Sequence, residues 1–148
     1  MSWSALHQDS ESCATAAHEA LMRGDVARAK ELFAKAAEAE ARALDVVGED
    51  KPRTLGIVAV SAAALWYKAG ELAKAEQLAH RASAIPIMPT FALEQFRELL
   101  QVIWNEQAQH AAGVSFMPGQ VLVSVKGGEV VTGGAPLDLI LSKVEDVQ

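Results

Sequence analysis

Few side chains in this sequence could do chemistry, and they do not converge. Four histidines, His7, His18, His80 and His110, are scattered over separate segments and read as lacking cysteine or carboxylate partners at ligand spacing. A metal site needs donors that converge on one point, so no metal is expected and ordinary surface histidines are the simpler reading. Cys13 sits among Ala14, Ala16 and Ala17 on a segment that must pack, which suits a small buried hydrophobe better than a nucleophile. Gly127-Gly128 and Gly133-Gly134 are not a phosphate loop, which needs glycines leading into a helix with a lysine and a hydroxyl residue; they read as turns. Glu38 and Glu40 read as solvating charges on an exposed helical face. There is no Gly-x-Ser-x-Gly elbow, no dinucleotide fingerprint and no carboxylate pair in an apolar setting. The expectation is a protein that is not an enzyme and holds no cofactor.

Aromatic residues offer recognition rather than reaction. Trp66 and Tyr67 are adjacent, so on a helix they point about 100° apart and cannot both face one core. One of them could line a groove between helical hairpins, and Trp66, Tyr67 and Arg53 form the candidate partner-binding groove. The simpler reading places both aromatics in the core or its rim.

These residues must be positioned by helices. The chain has 148 residues, 51% hydrophobic and 22% charged, which excludes disorder over most of its length. Alanine runs such as Ala62-Ala63-Ala64 favour helices and let them approach closely. A first helix is expected over about 11–23, with Ser10 or Asp9 as its cap, and Gly24 breaks it. Asp25 can cap a second helix whose Val26, Ala29, Leu32, Phe33, Ala36 and Ala37 form one buried stripe. A third, about 53–69, is apolar on nearly every face and so central. Gly70 precedes a fourth, Pro86 and Pro89 end it, and a fifth runs over about 91–111 with Phe91, Phe96, Leu99, Leu100, Ile103 and Trp104 inward. After Gly113 the period changes to two. Val121, Val123 and Val125 alternate with polar or aliphatic residues, and Val130-Val131-Thr132 follow Gly127-Gly128, a hairpin signal. Leu137, Leu141, Val144 and Val147 fit a last short helix. The expected fold class is therefore mainly α: antiparallel helical hairpins, then a C-terminal β-hairpin and a short terminal helix. The domain division is a helical-hairpin domain over 1–112 and the hairpin plus helix over 113–148, packed as one unit.

Two stretches share a pattern. Gly24, Val26, Ala29, Phe33 and Ala36 in the first answer to Gly70, Leu72, Ala75, Ala79 and Ala82 in the second. Glycine makes the tight turn and small residues let the second helix lie close against the first. These residues resemble the second half of a tetratricopeptide repeat over about 12–84. The glycine spacing is 46 residues where that family uses about 34, and the Trp-x-x-Leu-Gly-x-x-Tyr signature is missing, though Trp66 falls where the family places its tyrosine. The order of Arg53-Thr54-Leu55, Ser61 to Leu65, Gly70-Glu71-Leu72, Phe96 to Leu100 and the glycine-studded 121–136 is similar to a group of uncharacterised bacterial proteins. These join tetratricopeptide-like hairpins to a short β segment. The resemblance implies architecture and no particular activity. It also implies that longer members continue past the position of Gln148, so that this chain corresponds to a minimal version or a regulatory part.

Charge narrows the partners. Net charge is −6, with only Lys126 and Lys143 basic in the last fifty positions, so nucleic acid is not expected. The uncharged stretch Thr54 to Tyr67 is too short to span a bilayer. No basic region followed by a long apolar run marks a secretory signal, and a single cysteine fits a reducing cytoplasm. The valine-rich hairpin strands need cover on two faces. Val121, Val123, Val125, Val130 and Val131 are therefore the candidate interface, through which two copies could pair as a homodimer. The expected function is a protein- or peptide-binding adaptor or complex subunit. The alternative is a regulatory sensor that binds a small ligand or signalling peptide between the hairpins.

Overall fold

A computed structural model describes backbone and side chains of residues 1–113, and the backbone alone over 115–117, 120–125 and 128–133. Five helices dominate: α1 Trp3–Met22, α2 Val26–Val46, α3 Pro52–Lys68, α4 Leu72–Ser83 and α5 Thr90–Ala111. The starts of α1, α2 and α3 have a local cause. Ser2 Oγ accepts from the Ala5 amide at 3.2 Å and Asp25 Oδ1 from the Arg28 amide at 3.1 Å, satisfying otherwise orphaned donors. Pro52 opens α3, where its missing N–H costs nothing.

α1 begins eight residues earlier than expected, so Ser10 is not its cap. Leu6, Ser10, Ala17 and Ala20 are its buried residues. A polar residue inside that stripe looked like a boundary in sequence.

The two hairpins are closed by the same turn. Gly24 and Gly70 have φ of +79° and +80°. The Gly24 amide donates to Leu21 O and the Asp25 amide to Ala20 O; the Gly70 amide donates to Tyr67 O and the Glu71 amide to Trp66 O. Each is a Schellman cap, which uses a left-handed residue to satisfy the last carbonyls of the preceding helix and reverse the chain. α1 therefore returns along α2, and α3 along α4. α2 packs on α3, and α5 covers α3 and α4.

The core runs through these contacts as one cluster, with Phe33, Val58, Val60, Phe96, Leu99 and Ile103 fully buried. Alanines 17, 20, 36, 37, 43, 59, 62 and 63 are completely covered, so the helices meet backbone to backbone. At Gly56 an added Cβ would lie 2.9 Å from Phe91 Cζ and 3.1 Å from Pro89 Cδ, which is how the start of α5 nestles against α3. Among the described residues no helix is long and apolar enough to cross a membrane.

The expected fold class needs correction. Residues 1–113 are 81% helical and contain no strand, so the β-hairpin forms no part of this body. Beyond it the backbone forms three antiparallel strands in the order β1–β2–β3, Ser115–Met117, Gln120–Val125 and Gly128–Gly133, rather than a two-stranded hairpin. Gly128 pairs with Val125 inside the ladder, and Glu129 lies opposite Ser124. A three-residue strand is too short to show alternation, so sequence period could not reveal β1. The terminal helix expected after Pro136 lies outside the described residues.

Candidate functional site

The helical packing sorts the chemically interesting side chains into three places. The first is the expected groove. Trp66 and Tyr67 end α3 and are both 7% exposed, so both serve the core. The Tyr67 hydroxyl donates to the Glu106 carboxylate of α5, and Lys74 Nζ stands 4.5 Å from the Trp66 ring centroid. Arg53 is exposed at the other end of α3, about 20 Å away along the axis. The three do not meet. Of the candidate interface valines only the backbone is described: Val123 pairs with Val130, Val121 with Thr132, Leu122 with Val131 and Val125 with Gly128. β2, which holds three of them, has a strand on each side.

The second place was missed in sequence. Glu40 is 0% exposed, at the junction of α1, α2 and α3, and not a solvating charge like Glu38. His7 Nδ1 lies 2.9 and 3.0 Å from its two carboxylate oxygens. The hydroxyls of Ser10 and Ser61, both buried, complete its hydrogen bonds. Burial pushes the Glu40 carboxyl above its ordinary range, against the opposing pull of His7 and the two hydroxyls. The other imidazole nitrogen, Nε2, lies 3.3 Å from Glu11 one turn along α1. An acyl-transfer triad sets imidazole between carboxylate and hydroxyl; here both hydroxyls bind the carboxylate directly. The arrangement is a polar knot tying three helices. The signal for it was present, since Glu40 continues the buried spacing of Ala36, Ala37, Ala43 and Leu44.

The histidine reading also changes in part. His7 and His80 do have carboxylates one turn away, Glu11 and Glu76. His18 stands edge-on to Phe33 at 5.1 Å. Among the described residues no three of His, Cys, Asp or Glu are placed to hold a metal ion. Cys13 is half-buried against the core.

The third place is the face where α4 meets α5. Trp104 is 44% exposed, high for so large an apolar ring. It is nevertheless fixed: its indole N–H donates to Glu76 Oε1 at 3.0 Å, and the His80 ring stacks beside it at 6.2 Å and 29°. Glu76 in turn lies 3.8 Å from His80. Leu72, Glu76 and His80 are spaced one turn apart on α4, and Trp104, Gln107 and Ala111 one turn apart on α5. Toward the Leu72 end the helices part into an open cleft of about 360 Å³, lined by Leu72, Glu106, Gln107, His110 and Ala111. A held indole one turn from a partly apolar cleft presents aromatic area at little entropic cost, which makes this face the candidate site. Trp104 was expected to point inward, because the apolar spacing of α5 does not distinguish the core from a neighbouring exposed stripe. No family model, curated protein or solved structure matches this chain, so the surface is read from its own chemistry.

Proposed function

We propose that this chain is a non-enzymatic protein- or peptide-binding adaptor or complex subunit, built on tetratricopeptide-like helical hairpins. The observation that carries the reading is Trp104, exposed yet held by Glu76 and His80 one turn from the α4/α5 cleft. The shared Schellman turns at Gly24 and Gly70 support the repeat character, since one local device builds both hairpins. A bacterial cytoplasm, where Cys13 stays reduced, is the setting, and a second copy of the chain is one partner in this reading. Among the described residues β1 and β3 each pair on one side only, which supports that last element.

The cleft volume favours a second reading, a sensor for a small ligand, because about 360 Å³ lies within the range of ligand pockets. One experiment separates the two. A random peptide library is panned against the protein, and binders are followed by the three indole N–H resonances of Trp3, Trp66 and Trp104. The adaptor reading expects peptides that move the Trp104 resonance, leave that of Trp66 in place and are lost on Trp104→Ala. A library without such peptides, together with a co-purifying small molecule that shifts Trp104, would replace it with the sensor. Light scattering gives the self-association: the mass of two chains is expected, and a monomer removes that element.

A further inference from the structure

We propose that the α4/α5 face takes a peptide segment carrying a basic side chain beside an aliphatic one. This rests on the adaptor reading and names the chemistry of its partner. Leu72 and Ala111 provide apolar lining to the cleft, against which a branched aliphatic side chain can pack. The polar part of the face is acidic. Glu106 lines the cleft and spends Oε2 on the Tyr67 hydroxyl; Glu76, one turn from Leu72, spends Oε1 on the indole. A carboxylate has two oxygens, so each keeps one with which to accept from an incoming cation.

Bonded to Glu76, and one turn from Gln107 of the cleft, stands the Trp104 indole, the aromatic ring with the strongest attraction for a cation over its face. Its N–H bond to Glu76 holds it in place, so binding a guanidinium or ammonium there orders little of the protein. Among the described residues no lysine or arginine lines the cleft. Arg97 shares the Trp104 stripe of α5 but lies two turns back, about 10 Å away and remote from the cleft mouth. The chain's net charge of −6 adds long-range attraction for a basic partner. Two histidines, His80 and His110, flank the face.

The test uses the peptides selected from the library on the full chain. The expected result is that Trp104-dependent binders carry arginine or lysine within a few positions of leucine, isoleucine or valine. Replacing that basic residue by glutamine should then weaken binding about tenfold or more. Glu76→Gln with Glu106→Gln should weaken it similarly. Both amides can still accept from the indole and the phenol, so an unshifted Trp104 resonance in the free variant verifies the fold. The double variant should also abolish the benefit of the basic residue, because the two changes remove one interaction. Trp104-dependent binders that lack a basic residue, or that ignore the double variant, would overturn this proposal and leave the adaptor reading standing. A Trp104 resonance that moves with the concentration of the free protein would assign the face to a second copy of the chain and overturn it too. A library yielding no Trp104-dependent binder overturns both.

Discussion

The first and second helical hairpins are closed by the same hydrogen bonds around the same left-handed glycine, yet their interiors differ in kind. Where α1 and α2 meet α3, a buried carboxylate is held by an imidazole and two hydroxyls. Where α3 and α4 meet α5, the interior is aromatic and aliphatic, with Trp66, Leu78, Phe96 and Leu99 buried together in the core cluster. The turn is a local device and can be repeated. What it folds together depends on which side chains the buried stripes carry, and a single charged residue in one stripe forces a whole set of partners to be buried with it.

The sharpest way to break this contrast is to remove the large apolar group of the second hairpin. Trp66→Ala should cost about 4 kcal/mol in urea unfolding, because a fully packed indole leaves a cavity. Trp104→Ala, on the exposed face, should cost under about 1 kcal/mol while removing peptide binding. Equal losses would mean that Trp104 is as structural as Trp66.

Next comes the polar knot. Glu40→Ala should cost about 3 kcal/mol, since His7, Ser10 and Ser61 are left facing a void. Glu38→Ala, two residues away and exposed, should stay within about 0.5 kcal/mol. Similar effects at the two positions would mean that Glu40 is in fact solvated.

Gly24→Ala and Gly70→Ala test what the hairpins share. Both residues sit at positive φ, where a Cβ is strained, and an added Cβ meets nothing closer than Lys30 at 3.8 Å beside Gly70. Losses of about 1 kcal/mol, equal within error, are expected at the two sites. A clear inequality would break the equivalence of the turns.

The smallest effect is a pH slope confined to the first hairpin. Burial raises the Glu40 carboxyl above its ordinary 4.5, so the folded chain holds this proton more tightly than the unfolded one. The stabilising contribution is complete below 4.5 and is lost as pH rises through the folded value. Glu40→Gln does not titrate there. Its stability relative to the parent should therefore improve from about pH 4 toward pH 8, read as the difference between two denaturation series. A flat difference would show that His7 and the hydroxyls fully offset burial.

Much of the helical frame was legible. Asp25, Pro52, Gly24 and Gly70 act within one turn of themselves, so their roles could be read without knowing what packs where. The length of α1 was not, because Ser10 owes its place inside a helix to Glu40, a residue thirty positions away. The site was less legible still. Trp66 and Tyr67 drew attention as adjacent aromatics, yet the packing of α4 and α5 buries both. The same packing leaves Trp104 in view.

The sequence by itself determined where helices begin, where they turn and that they must pack closely, because caps, glycines and alanines act through their own backbone neighbourhood. Tertiary structure alone decided which partners the buried Glu40 meets and which aromatic is exposed. Those outcomes depend on how helices rotate against one another, and a stripe of apolar spacing leaves that rotation open by a residue or so. Glu40 lies within the buried stripe of α2, and only packing brings His7, Ser10 and Ser61 to it. Trp104 lies at the margin of the α5 stripe, where a small turn of the helix decides between core and surface.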